Sequence, residues 1–200
     1  MANIWDEKYA ADEYCYGTAA NGFLRSQQHR LTQGMNCLAV ADGEGRNGVW
    51  LAEQGLQVLS VDGSIKAQEK AKKLAQERAV VLDYEHIDLM AWDWPENKFD
   101  VVVGIFIQIF ADEMRSQLFE NIKRSLKPGG LLLLQGYTQR QLEYKTGGPS
   151  QIENLYTEAM LKTAFSDMEM LHFEEHDQVM NEGSGHHGMS ALIDLVVKKK

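Results

Sequence analysis

The run Cys37-Leu38-Ala39-Val40-Ala41-Asp42-Gly43-Glu44-Gly45-Arg46-Asn47-Gly48 constrains this chain more than any other feature. A short apolar stretch of strand length ends in a turn of small residues, and a helical pattern follows. A second apolar stretch, Val58-Leu59-Ser60-Val61, ends in Asp62, 19 residues after Gly43. That is about the separation a nucleotide-binding βαβ unit needs between its glycine turn and the acid that holds a ribose. A ligand with an adenosine ribose is expected, with Asp62 accepting from both hydroxyls.

The pattern around this unit predicts an α/β fold. Strands over 37–41, 57–61, 79–87, 99–105 and 131–136 alternate with helices over 46–54, 64–76 and 111–126. Such alternation argues for a mostly parallel sheet covered by helices on both faces, a three-layer sandwich. Gly55 is placed to cap the first of these helices, and Pro128-Gly129-Gly130 reads as a tight turn. A helix over 21–32 precedes the alternation. After Gly136 come a loop over 137–150, an amphipathic helix over 152–165, and two antiparallel strands over 168–180 and 190–198 joined by a glycine-rich loop over 181–188. No repeat or linker interrupts the chain, so residues 1–200 are expected to form a single domain, with 1–32 as an N-terminal helical or lid segment.

Composition narrows the function. A formal net charge of −9 argues against a large phosphate-binding surface, since nucleic-acid affinity comes mostly from clustered Lys and Arg. Cys15 and Cys37 fit no zinc spacing and are too few for a disulfide framework, which suits a reducing cytosol. Met1 to Glu7 lacks a basic region followed by an apolar one, so no signal peptide is expected. The longest apolar run, Val101 to Phe110, is broken by Gly104 and Gln108 and falls far short of the ~20 residues that span a bilayer. The expectation is a cytoplasmic protein without nucleic-acid or membrane partners.

The glycine turn by itself leaves the ligand open. Free N–H groups at the start of the helix near Arg46 suit the pyrophosphate of a dinucleotide, or the methionine part of S-adenosylmethionine beside them. The spacing Gly43, Gly45, Gly48 matches the dinucleotide pattern only loosely. The third strand leads into Ile87-Asp88-Leu89, an acid placed to meet an adenine amino group. A nicotinamide-dependent oxidoreductase would carry its glycine turn close to the N-terminus, whereas here about three dozen residues precede it.

With these residues in view, the chain resembles the class I S-adenosylmethionine-dependent methyltransferases, and among them the small bacterial branch of tellurite-resistance-type enzymes. The resemblance rests on Trp5-Asp6-Glu7-Lys8-Tyr9, Tyr16-Gly17-Thr18 with Asn21, Asp42 to Asn47, and Val61-Asp62-Gly63-Ser64. It continues through Phe99-Asp100-Val101-Val102, Lys127-Pro128-Gly129-Gly130, Thr146-Gly147-Gly148-Pro149 and Glu182-Gly183 with His186 and Gly188. It implies a seven-stranded sheet with only the last strand antiparallel, S-adenosyl-L-methionine as cofactor, S-adenosyl-L-homocysteine as product, and no metal. The chain departs from the family at Ala39, where an acid is usual, at Ala41, where glycine is usual, and at Gln108, where a histidine is frequent.

The same reading assigns the site. The cofactor is expected against Ala41, Asp42, Gly43, Gly45 and Arg46, against Asp62 and Gly63, against Asp88 and Leu89, and at the end of the fourth strand against Gly104 and Phe106. Arg46 is placed to meet the methionine carboxylate. The methyl acceptor is expected among Trp5, Tyr9, Tyr16, Gln108 and His186, with Tyr16, Tyr137 and His186 as catalytic candidates. His86, His172 and His176 fall in strands and read as structural. No Asn/Asp-Pro-Pro-aromatic segment follows the fourth strand, so the acceptor is expected to be a small molecule: a thiol, a selenium or tellurium oxyanion, or similar. A monomer or weak homodimer is expected, and a non-catalytic S-adenosylmethionine sensor is the alternative.

Overall fold

The computed structural model describes residues 4–200; Met1–Asn3, part of the N-terminal reading above, lie outside the described residues. The elements follow in chain order. Helices α1 (Ile4–Lys8) and α2 (Gly22–Ser26) precede β1 (Asn36–Val40), α3 (Arg46–Glu53), β2 (Gln57–Asp62), α4 (Ile65–Glu77) and β3 (Asp83–His86). Then come β4 (Phe99–Ile105), α5 (Asp112–Ser125), β5 (Leu126–Tyr137), α6 (Gln141–Tyr144), α7 (Glu158–Ala164), β6 (Glu169–Glu182) and β7 (His186–Lys198).

The seven strands form one sheet in the order β3-β2-β1-β4-β5-β7-β6. The first five are parallel, and β7 runs antiparallel to both β5 and β6. Alternation along the strands splits the core in two. Leu38, Val40, Val61, Val102, Leu132 and Leu134 face one helical layer, and Cys37, Ala39, Val58, Val101, Val103 and Leu133 face the other. Period-two burial on both faces is what a central parallel sheet requires. The order reverses at β1 and β4, so a crevice opens beside the carboxyl ends of those strands. No helix among the described residues is long and apolar enough to cross a membrane.

Several boundaries differ from the sequence reading. The helix expected over 21–32 stops at Ser26, whose hydroxyl donates back to the Phe23 carbonyl at 2.7 Å, and the chain continues as a 3-10 turn over Gln28–Arg30. Ser back-bonding of this kind competes with the helical ladder. The helix expected over 152–165 is broken because the Tyr156 N–H donates to the Tyr137 carbonyl at 3.0 Å; Thr157 then caps α7 by accepting from the Met160 N–H. The third strand is only four residues long. Pro128-Gly129-Gly130 is not a turn but a bulge at the start of β5: the pairing steps from Phe99–Leu126 to Val101–Leu131, with Gly129 at φ +80°. The loop expected over 181–188 is mostly strand, and only residues 183–185 turn. Gly55 caps the end of α3 as expected, at φ +84°.

Candidate active site

The turn after β1 begins with an uncommon conformation. Ala41 sits at φ +47°, in the left-handed region where an L-residue is strained, followed by Gly43 at +59° and Gly45 at +83°. Ala41 therefore holds a backbone conformation that favours glycine. Asp42 is the inner brace of this turn. Its Oδ1 accepts the Gly48 N–H at 3.0 Å and its Oδ2 accepts the Ser60 hydroxyl at 2.8 Å. Burial pushes its carboxyl up to about 6.

Asp62 closes β2 on the other side of the crevice. Its Oδ2 accepts the Gly43 N–H at 2.8 Å and its Oδ1 accepts the Ser64 N–H at 2.8 Å. Burial pushes this carboxyl up, against the pull of those two N–H groups. The two ends of the predicted βαβ unit are thus in direct contact, and Asp62 faces the cavity.

That cavity has a volume of about 1070 Å³ and runs along the carboxyl edge of the sheet. Its floor includes Ala41, Asp42, Gly43, Asp62 and Gly63; Asp88 and Leu89 line one end and Phe106 and His186 the other. Asp88 is exposed and accepts the Met90 N–H, while Leu89 is buried. Two of the expected cofactor residues, Gly45 and Gly104, do not line this cavity. A Cβ on Gly45 would stand 2.6 Å from the Ala71 Cβ, so the glycine serves the packing of the turn against α4. At Gly104, Ile107 and Leu134 stand where its Cβ would go.

The opposite end is aromatic. Phe106, at φ +57°, lies 4.7 Å from the Tyr137 ring and 4.3 Å from the His186 ring, and Tyr16 lies 4.4 Å from His186. Trp5 and Tyr9 stack at 6.1 Å above this wall. Lys8 lies 5.0 Å from both the Trp5 and Tyr16 ring centroids and donates to the Tyr16 hydroxyl. Helix α1 is fastened over the cavity by Asp6, which accepts from the Ser64 hydroxyl at 2.5 Å and the Lys66 N–H at 3.2 Å. The segment over 15–17 is held from the far side by the β6–β7 turn. The Gly185 N–H donates to the Cys15 carbonyl at 2.9 Å, and a Cβ on Gly183 would stand 2.4 Å from that oxygen.

Arg46 and Glu182 form a buried ion pair, 2.6 Å between Nη1 and Oε2, and the same Nη1 donates to the Tyr16 carbonyl at 3.3 Å. Burial works to raise the Glu182 carboxyl, but the Arg46 guanidinium and the Gly22 N–H outweigh it and hold it well below the ordinary carboxylate range. His186 Nδ1 is 3.9 Å from Glu182, too far for a hydrogen bond, and has no hydrogen-bond partner among the described residues. Burial pushes its imidazole down, so it is neutral at pH 7. Burial likewise pushes the Tyr9 and Tyr137 hydroxyls up.

Gln108 lines the cavity. Its Oε1 accepts the Tyr137 N–H at 2.5 Å, and its Nε2 donates to the carbonyls of Tyr137 at 2.8 Å and Asn154 at 3.2 Å. The amide therefore also clamps the end of β5. His86, read as structural, lines the cavity and contacts the Gly63 carbonyl at 3.1 Å. The sequence reading also missed Asp6, Lys8 and Glu182 as site residues. Ser64 caps α4 by accepting the Ala67 N–H, and its hydroxyl donates to an acidic partner 58 residues away, which local pattern does not reveal.

This geometry is that of the class I methyltransferase fold, and the comparisons agree. Residues 37–130 match the family model described as a methyltransferase domain. Among curated relatives, the chain is 33% identical over 117 residues to a ribosomal protein L11 methyltransferase of Dictyoglomus turgidum, which covers 58% of this chain and 37% of that one. The chain thus spans little more than a third of that relative's length. Among solved structures it superposes on TehB from Haemophilus influenzae with a TM-score of 0.75 at 19% identity, covering 98% of this chain and 66% of that one. It also superposes on the protein of a structure concerned with conversion of a disulfide bond into a thioacetal group during echinomycin biosynthesis, with a TM-score of 0.79 at 16% identity, covering 98% and 91%. Residues 37–130 are thus similar to a methyltransferase domain, and the chain shares the fold of these solved neighbours.

Proposed function

We propose that this protein transfers a methyl group from S-adenosylmethionine to a soft small-molecule nucleophile, a thiolate or an oxyanion of selenium or tellurium, as the tellurite-resistance-type resemblance implies. The carrying observation is Asp62, aimed into the cavity at the carboxyl end of β2 and hydrogen-bonded to the glycine turn. In this reading Asp62 holds the ribose diol, Asp88 and Leu89 flank the adenine, and the backbone at Asp42, Gly43 and Gly63 lies against the nucleoside. Arg46 faces the methionine carboxylate with guanidinium N–H groups beyond the Nη1 that Glu182 and Tyr16 occupy. The cavity is large enough for such a molecule, and its polar groups suit each part of it.

When bound, S-adenosylmethionine supplies a methyl group on a sulfonium, already activated for direct displacement. The chain's own part is alignment and exclusion of water. Trp5, Tyr9, Tyr16, Phe106 and His186 wall the acceptor end, and the lid over residues 4–32 is fastened through Asp6. The Tyr137 hydroxyl holds its proton more tightly than a free phenol. Burial pushes the His186 imidazole down, so it stands in the form that accepts a proton, and its Nδ1 has no hydrogen-bond partner among the described residues. A thiolate or chalcogen oxyanion arrives ionised and needs no base, whereas an acceptor that must lose a proton can pass it to His186.

The test is turnover of methyl-labelled S-adenosylmethionine against thiols, selenite, tellurite and small amines. Label on a thiol or chalcogen oxyanion is expected. Label on amines alone overturns the acceptor class. Binding of S-adenosylhomocysteine with no label on any acceptor replaces the enzyme with a sensor.

A further inference from the structure

A continuous line of buried and half-buried side-chain contacts runs from Arg46 at the cavity to β6, at the edge of the sheet. Arg46 pairs with Glu182 at 2.6 Å. The Asn21 Nδ2 donates to Glu182 Oε1 at 3.1 Å and to Gln135 Oε1 at 2.7 Å. The Gln135 Nε2 donates to Asp194 Oδ1 at 2.6 Å, and His176 Nε2 lies 3.0 Å from Asp194 Oδ2. Gln135 and Asp194 are a cross-strand pair of β5 and β7, so the register of the sheet places them.

Asn21 is the junction of this line. Its backbone N–H donates to Asn47 Oδ1 at 3.0 Å, and its Oδ1 accepts the Leu24 N–H at 3.0 Å as the cap of α2. Its amide orientation is therefore determined at both ends: Oδ1 must face the helix, and Nδ2 must face Glu182 and Gln135. Gln135 cannot flip either, because its Nε2 faces the Asp194 carboxylate. Asn21, through its backbone N–H and its side chain, ties the start of α2, the first turn of α3, the C-terminal end of β5 and the end of β6 together.

We propose that Asn21 is a positioning residue for the amino-acid end of the methyl donor. It fixes Glu182, and Glu182 fixes the guanidinium of Arg46. An arginine paired to one carboxylate keeps much of its rotamer freedom. An arginine paired to a carboxylate that is itself held by Asn21 and by the Gly22 N–H at 3.2 Å is pre-organised. The inference rests on the donor assignment above and adds that Arg46 meets the donor only as Asn21 sets it.

Two ligands separate the possibilities. S-adenosylhomocysteine carries the amino-acid end; 5′-methylthioadenosine has the same nucleoside and sulfur without it. Calorimetric titration of both into wild type, Asn21→Ala and Asn21→Asp is the experiment. Loss of at least tenfold in affinity for S-adenosylhomocysteine is expected in each variant, with 5′-methylthioadenosine changed less than twofold. In the double variant with Arg46→Ala, Asn21→Ala should add nothing to the loss from Arg46→Ala alone. Asn21→Asp keeps the size and the helix cap but turns a donor into a second carboxylate beside Glu182, so it serves if the alanine variant does not fold; Glu182→Gln serves as a third. Equal loss for both ligands would make Asn21 a merely structural residue and overturn the proposal, as would no loss for either. Wild type that binds neither ligand would instead overturn the donor assignment itself.

Discussion

The Gly43 N–H donates to Asp62 Oδ2 at 2.8 Å, joining the turn after β1 to the end of β2. The same carboxylate accepts the Ser64 N–H through its other oxygen. Each oxygen has a second lone pair, so a diol can be accepted without breaking either bond. Asp62 therefore shapes the site as well as facing the ligand. Asp62→Asn turns one oxygen into a donor that opposes one of these N–H groups. A loss of roughly 1–3 kcal/mol of unfolding free energy is expected, read by urea denaturation without ligand.

Gly45 is held by packing. An added Cβ meets Ala71 at 2.6 Å and is strained at φ +83°. Gly34, at φ +87°, has open space around its Cβ position. Gly45→Ala is expected to cost about 1–3 kcal/mol more than Gly34→Ala, because only the first adds overpacking to the left-handed strain. Comparison of the two denaturation midpoints checks this; equal losses would remove the packing role.

Gln108 holds backbone groups at the end of β5 and near residue 154. Gln108→Leu strands a buried N–H and leaves two carbonyls short of a donor. Destabilisation by roughly 2–4 kcal/mol is expected, with affinity for S-adenosylhomocysteine changed less than threefold. A large loss of affinity in a variant of unchanged stability would show Gln108 to be a ligand contact.

The ion pair at Glu182 gives the fold an acid limb. A carboxyl held well below its ordinary 4.5 contributes stability that is present above pH 4.5 and lost as pH falls from there through its lowered value. Asp42 has the opposite sign: with its carboxyl raised from 3.8 to about 6, its contribution is full below pH 3.8 and lost as pH rises through 6. On acidification Asp42 thus adds stability as pH falls from 6 towards 3.8, His186 opposes it because a buried neutral imidazole loses stability as pH falls through 6.5, and Glu182 loses its contribution below about pH 4.5. In Glu182→Gln the loss below pH 4.5 should flatten, whatever the overall cost of leaving Arg46 unpaired. An unchanged acid limb in that variant would show that other carboxylates control it.

What was legible in the sequence was local. Strand-length apolar runs ending in small-residue turns located β1, β2 and β4, and the distance from Gly43 to Asp62 marked one βαβ unit, whose two ends the fold joins at 2.8 Å. What was hidden depends on partners far apart in the chain. Gln108 and Arg46 each look free until Tyr137 and Glu182 arrive from other elements. Gly45 looks like a ligand turn until α4 packs against it. The residues over 181–188 look like a loop because glycine and polar side chains dominate them. Only residues 183–185 turn, with Gly183 and Gly185 against the 15–17 segment, and the residues on either side pair as strand, with Gly188 against Thr146.

The central claim is that the cavity at the carboxyl edge holds S-adenosylmethionine by its ribose through Asp62. Calorimetric titration of S-adenosylhomocysteine and of NAD into wild type and Asp62→Ala tests it most directly. Binding of S-adenosylhomocysteine to wild type is expected, weakened in the variant by roughly 1–3 kcal/mol, with no comparable binding of NAD. Undiminished affinity in Asp62→Ala, or tighter binding of NAD than of S-adenosylhomocysteine, would contradict the account.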